Sequence, residues 1–267
     1  MDRLQFGLAT FHRPGMDVWS WVELARKLAL GGVELRADPG IAHPDDFSPQ
    51  DLCRLRHLSG DGLRVSLHMP IHGVNLTWPV RSVAAASLGE VARTIDLAAE
   101  INADVVVIHP GKIPEEYASF PQWLVRSREL LRFALAVLLK KAEKAGVRLA
   151  LENLGGTRDR GLVQTAEEHL ALLQEFPELW ACFDLGHLHT LGGSPKDYIK
   201  SISHRLIHVH LHDNLGDWDA HLSLGEGNAP WVETLQTLEE LGFSGRIILE
   251  IPDPQKLTES LKKVCPG

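Results

Sequence analysis

The feature that most constrains this chain is a regular alternation, sustained from end to end, between short β-prone runs and longer segments of helical periodicity. Eight such runs occur, over 5–9, 32–36, 64–68, 104–109, 147–152, 180–184, 206–212 and 246–250. Helix-period segments lie between them, among them 18–30, 83–101, 123–145, 166–175 and 231–241, with Gly31, Gly146 and Gly242 standing where helices commonly stop. Strand followed by helix followed by strand implies a parallel sheet with crossover helices. Eight units imply an α/β fold of one kind, a (β/α)8 barrel closed on itself, and no linker-like stretch divides residues 1–267 into more than one domain. The competing open, doubly wound sheet loses its nucleotide-binding form, because no G-x-G-x-x-G follows the first strand and no G-x-x-x-x-G-K-[ST] occurs.

Composition excludes several partners. Thirty-five acidic residues against 27 basic ones give a formal charge of -8, which argues against broad electrostatic binding to nucleic acid or to an anionic membrane. No run of 18 apolar residues and no signal-like apolar segment is present, and three cysteines (Cys53, Cys182, Cys265) are too few and too scattered for a disulfide framework. A cytoplasmic protein with ordinary thiols is expected.

The polar residues of the strand runs carry the chemistry. The third run ends in His68, the fourth in His109, the fifth in Glu152, the sixth in Asp184 and the eighth in Glu250, while the seventh carries His208, His210 and His212. Parallel strands of a barrel bring these ends to one rim, the face on which such barrels hold their reactive groups. In the seventh run Ile207, Val209 and Leu211 alternate with the histidines, so one set faces the helices and the other the lumen. His210 is the one placed for a metal. His208 sits a layer deeper and His212 is leaving the strand, so both are expected to make hydrogen bonds within the rim, with Asp213 as a partner that fixes a histidine tautomer. FDLGHLH adds His187 to Asp184, and GDWDAHLSLGEG adds Asp219 and His221 ahead of Gly225 and Gly227. Histidine and carboxylate ligands without thiolate suit Zn²⁺ or Mn²⁺, and carboxylates that bridge favour more than one ion. Arg13, Lys112 and Arg158 are candidates for holding phosphate, and Trp78 and Trp218 for stacking on a sugar or base.

Taken together, SLHMPIHGVNL, VVVIHPG, LALENLGG, FDLGHLH, HVHLHDN, DAHLSLGEGN and IILEIP resemble the xylose isomerase-like TIM barrel superfamily, which holds endonuclease IV (AP endonuclease family 2) and sugar isomerases and epimerases of the tagatose 3-epimerase type. The endonuclease pattern implies three metal sites. His68, His109 and Glu152 would hold one ion, Glu152, Asp184, His210 and Glu250 a second, and His187, Asp219 and His221 a third. The epimerase pattern needs only Glu152, Asp184, His210 and Glu250 around a single ion. Two departures weigh against a DNA substrate. GLATFHRPG replaces the endonuclease's opening segment, and Ile71 and His72 stand where an aromatic wedge is needed. Glu226, between the glycines, would repel a phosphate backbone.

Ligand count points first to an endonuclease IV-like multinuclear hydrolase acting on a phosphoester of sugar-phosphate type. The alternative is a ketose or sugar-phosphate isomerase or epimerase in which Glu152 and Glu250 exchange a proton at carbon beside one metal. The third reading is a metal- or sugar-binding protein without turnover. A small sugar or sugar-phosphate partner is expected ahead of DNA.

Overall fold

The computed structural model describes residues 5–156 and 159–265, so Arg158 lies outside the described residues. Eight parallel strands close a (β/α)8 TIM barrel: β1 (Phe6–Ala9), β2 (Gly32–Arg36), β3 (Arg64–His68), β4 (Val105–Ile108), β5 (Arg148–Glu152), β6 (Trp180–Asp184), β7 (Leu206–Leu211) and β8 (Arg246–Leu249). Each strand pairs with its sequence neighbours and β8 returns to β1. The expected runs and the observed strands differ by no more than one residue at either end.

The helices are α1 (Val18–Lys27), α2 (Pro49–Leu58), α3 (Arg81–Glu100), α4 (Glu115–Ala118), α5 (Pro121–Ala145), α6 (Ala166–Glu175), α7 (Leu185–His189), α8 (Pro195–Ile202), α9 (Trp231–Glu240) and α10 (Pro254–Val264). Their starts follow capping chemistry. Asp17, Ser48, Ser194 and Asp253 each accept a backbone N–H of the first turn, and proline takes the first position of α2, α8 and α10, where its missing N–H costs nothing. Gly146 and Gly242 end helical segments in the left-handed region, at φ +68° and +64°. Gly31 does not end α1. Ala29 takes the left-handed turn instead, at φ +54°, because Gly31 already donates to the Phe6 carbonyl at the entry to β2.

Period-two alternation divides the barrel wall. Val33, Leu35, Leu67, Val106, Leu149, Leu151, Phe183 and Val209 join the core shared with the helices. Toward the lumen, Val105, Val107, Ala150 and Cys182 form a separate small cluster. Ile207, expected on the helix side, packs against that lumen cluster, because an irregular register between β6 and β7 pairs Ala181 with Leu206 and then Cys182 with His208. Outside the barrel, Lys112–Ile113 pair antiparallel with Arg160–Gly161, tying the loop after β4 to the loop after β5 across the rim.

Candidate metal centre

The C-terminal mouth of the barrel gathers the ligand-type residues from six successive strands and one loop. His68 closes β3, and its Nδ1–H donates to the Met69 carbonyl at 2.7 Å. Glu152 closes β5 with 1% of its surface exposed. Asp184 closes β6 and caps α7, accepting the His187 N–H at 2.6 Å, so one carboxylate fixes the position of the histidine three residues on. Asp219 and His221 come from an excursion that leaves and rejoins the barrel at one point, since Asp213 and Leu222 exchange backbone hydrogen bonds of 3.0 and 2.8 Å. His221 sits at φ +46°, an uncommon conformation that histidine tolerates better than most residues and that recurs at functional sites.

All nine expected ligands join one cluster. Glu152 Oε2 lies 3.1 Å from His68 Nε2 and 3.0 Å from His109 Nε2, and its Oε1 lies 3.3 Å from His187 Nδ1 and 3.1 Å from His210 Nδ1. His210 Nδ1 is also 3.7 Å from Asp184 Oδ2 and 3.6 Å from Glu250 Oε1. Asp219 Oδ2 lies 3.3 Å from His187 Nε2 and 3.2 Å from His221 Nε2. A cavity of about 260 Å³ opens onto this cluster, with Phe11, Ile71 and Val74 among its apolar walls. That is smaller than the roughly 300–1,000 Å³ of drug-sized pockets and suits a compact polar molecule.

The donor set fits divalent cations. His68, His187 and His221 each turn Nδ1 to a backbone carbonyl, of Met69, Asn153 and Glu250 at 2.7, 2.8 and 3.0 Å, which fixes the tautomer and leaves Nε2 as a bare acceptor. Those Nε2 atoms face carboxylate oxygens. Two acceptors in contact repel unless a proton or a cation lies between them. Asp219 Oδ1 is buried without a hydrogen-bond partner, and Glu152, Asp184, Asp219 and Glu250 crowd one nearly dry space that requires positive charge. Without metal, protons fill that need. Burial opposes charge on His212, yet Asp184 and Asp219 outweigh it and push the ring up to about 9. His187 is held well above the usual range in the same way. Burial keeps His109 down at about 4 despite Glu152. Burial also opposes ionisation of Glu152 itself, but His210 and His109 prevail and hold it well below the ordinary carboxylate range.

Several expectations need correction. His212 is not among them, since it makes the hydrogen bond within the rim that was expected of it. Its Nε2 lies 3.3 Å from Asp184 and 3.4 Å from Asp219, its ring stacks on His221 with centres 4.1 Å apart, and it can share an ion with His221 and Glu250. A Cβ at Gly186 would overlap the His212 ring, which explains the glycine in FDLGHLH. Asp213 fixes no histidine tautomer. It accepts the backbone N–H groups of Asn214, Gly225 and Ala229 at 2.9, 2.7 and 2.8 Å and so shapes the glycine loop. Glu226 pairs with Lys256 at 2.8 Å, and Arg13 with Asp253 at 3.0 Å; neither lines the cavity, and nor do Trp78 and Trp218. Lys112 does line it. Cys182, as expected, is an ordinary free thiol, buried in the small cluster with Val105, Val107 and Ala150.

One residue escaped the reading of strand ends. Glu34, fully buried in β2, lies 2.7 Å from His208 Nε2 and 2.9 Å from His210 Nε2 and accepts the Ser66 hydroxyl at 3.0 Å. It takes His210 from below, which directs Nδ1 to Glu152, Asp184 and Glu250. The signal was present in GVELR, where period two places Glu34 on the lumen side with Gly32 and Arg36.

Comparison with known proteins places these features in context. A family model described as a xylose isomerase-like TIM barrel matches residues 22–265. An uncharacterized protein of Methanocaldococcus jannaschii is 31% identical over 209 residues, which cover 75% of this chain and 70% of that protein. Fructoselysine 3-epimerase of Shigella flexneri is 27% identical over 241 residues, 85% of this chain and 82% of its own length. The crystal structure of a D-tagatose 3-epimerase-like protein superposes with a TM-score of 0.84 at 26% identity, covering 97% of this chain and 95% of that one. These relatives back the epimerase alternative, and they lend nothing to the endonuclease-like hydrolysis that ligand count favoured.

Proposed function

The chain belongs to the xylose isomerase-like TIM barrel family, and from that premise we propose that it is a single-domain, divalent-metal-dependent sugar epimerase or isomerase. The observation that carries this reading is the meeting of Glu152 and Glu250 at His210 Nδ1, at 3.1 and 3.6 Å, with Asp184 beside them. Glu152, Asp184, His210 and Glu250 would hold the ion, Mn²⁺ or Zn²⁺ by donor type. The bound ion supplies Lewis-acid polarisation of a ketose carbonyl and its neighbouring hydroxyl. The two glutamates do the proton work. They stand on β5 and β8, three strands apart around the closed ring, and so approach a bound sugar from different sides. One carboxylate removes the proton from the carbon beside the carbonyl, and the other returns a proton to the opposite face, inverting that centre. Return to the adjoining carbon isomerises instead. The substrate class is a small sugar or sugar phosphate, and the free state of all three cysteines is in keeping with a cytoplasmic setting.

The test is solvent exchange. Metal-loaded protein, incubated in D₂O with D-fructose, D-tagatose, D-psicose and their phosphates, should place deuterium beside the carbonyl of at least one of them and yield its epimer, read by NMR. A chelator should stop the exchange and Mn²⁺ should restore it. No exchange in any member of the panel overturns the reading. Phosphoester hydrolysis stands second, supported by the convergence of His68, His109, His187, Asp219 and His221 beyond the four ligands an epimerase needs. Chelator-sensitive phosphate release from a sugar phosphate, without exchange, would favour it. Little or no cleavage of an abasic duplex is expected, because the chain carries a charge of -8 and no aromatic wedge follows His68.

A further inference from the structure

Arg36 ends β2, and the chemistry above gives it no part. It is only 7% exposed, yet it lines the central cavity beside Glu152 and Glu250. A guanidinium this dry needs a partner, and Asp38, 1% exposed, supplies one: Nε and Nη2 both donate to Oδ2, at 3.3 and 3.1 Å. The other Asp38 oxygen accepts the N–H groups of Ile71 and His72 at 3.1 and 3.2 Å and lies 3.1 Å from His72 Nδ1. One carboxylate therefore ties the end of β2 to the loop after β3 and holds the guanidinium in a single pose.

That pose faces the site. Arg36 Cζ lies 4.9 Å from the centre of the Phe11 ring, and Phe11 meets His221 edge-on at 5.7 Å. Arg36 is thus separated from the ligand cluster by no more than those two distances added, which is within the reach of one sugar molecule. Asp38 engages Nε and Nη2, and Nη1 makes no hydrogen bond among the described residues. Besides the converging ligands, the charged groups of the wall are Arg36, Lys112 and Asp159, and Lys112 makes no ion pair among the described residues. A guanidinium fixed through Nε and Nη2 still offers its remaining N–H groups to a phosphate or carboxylate, whereas a sugar hydroxyl in the same wall could be met by a neutral donor such as Asn75. We infer that Arg36 seats an anionic group, phosphate or carboxylate, at the end of the substrate remote from the reacting carbons. This rests on the sugar-epimerase reading and narrows its substrate to acidic or phosphorylated ketoses.

The experiment is calorimetric binding to the metal-loaded protein of D-fructose, D-fructose 6-phosphate and D-fructuronate, a ketose with a terminal carboxylate. At least one charged sugar should bind tenfold or more tighter than D-fructose. Arg36→Gln should erase that preference while leaving D-fructose affinity within twofold, and Arg36→Lys should recover part of it. If Arg36→Gln fails to fold with Asp38 left unpaired, the Arg36→Gln/Asp38→Asn pair, which keeps an oxygen for the Ile71 and His72 amides, carries the same comparison. Preference for the phosphate identifies a phosphorylated substrate, and preference for fructuronate a sugar acid. Equal binding of all three, or a charged-sugar preference that survives the loss of Arg36, overturns the inference. Tight Arg36-dependent binding without any proton exchange would leave it standing and overturn the epimerase reading instead.

Discussion

Glu34→Gln is the sharpest test of how the metal centre is held. Glutamine keeps the shape of the side chain. Its carbonyl can still accept from His210 Nε2, now 2.9 Å from the carboxylate, and its amide can face His208, whose charged form burial already disfavours despite Glu34. The fold should therefore survive, and only the charge is removed. A charged partner at 2.9 Å contributes about 1.5–3 kcal/mol against about 1 for a neutral one, so His210 loses on the order of 1–2 kcal/mol of support for the orientation and basicity of its Nδ1. Loss of such an outer partner typically lowers metal affinity or activity by about 10–100-fold, which brackets the same range. Competition between a fluorescent chelator and the protein for Mn²⁺ measures it directly, with circular dichroism to confirm the fold. Affinity within twofold of the wild type, in a folded Glu34→Gln protein, would refute the claim that Glu34 holds His210 for the ion.

Three further outcomes are expected. Glu152→Gln removes the carboxylate that lies within 3.0–3.3 Å of His68, His109, His187 and His210, and should cut solvent exchange by at least about 100-fold while weakening metal binding; full activity would sink the assigned roles of the site. His169, fully buried beside Tyr198, is kept neutral by burial down to about 4, so the unfolded chain binds a proton that the folded one refuses, and stability falls as pH drops from 6.5 to 4. The shift is worth about 3 kcal/mol, so urea titrations across that window should show a shallower pH dependence in His169→Gln, and identical slopes would count against it. Ala29→Gly relieves a left-handed alanine, worth about 1–2 kcal/mol, against about 0.4–1 kcal/mol of added freedom in the unfolded chain, so calorimetry should show a small rise in Tm. A fall in Tm would mean that the turn at Ala29 is not strained.

The sequence made legible whatever follows from local periodicity and strand direction. Eight runs of alternating or apolar character imply the barrel, and parallel strands place His68, Glu152, Asp184 and Glu250 on one rim whatever the details of packing. Asp219 and His221 are different. They lie in a loop, and nothing in their spacing brings them home; the Asp213–Leu222 pairing does, a backbone contact that only the folded loop reveals. Gly31 failed as a helix stop for a related reason, since the demands of β2 on its N–H moved the left-handed turn to Ala29. His212 was legible: it leaves the ladder and hydrogen-bonds Asp184 within the rim, in space that Gly186 opens for its ring.

Glu34 and Arg36 show where the reading of strand ends stops short. Both share the lumen face of β2, and alternation alone places them there, but only the register shows what they meet: Glu34 stands level with Ser66 on β3, and Arg36 level with His68. The consequence is a site built in depth. Rim residues offer ligands, Glu34 beneath them lies against both His208 and His210, and Arg36 at the side holds a charge that no ligand role requires. A barrel that needed only to bind an ion could fill those inner positions with aliphatic side chains at less cost in desolvation. That it buries a carboxylate, two histidines and a guanidinium there instead argues that the inner layer aims His210 and that the guanidinium selects what His210's ion acts on.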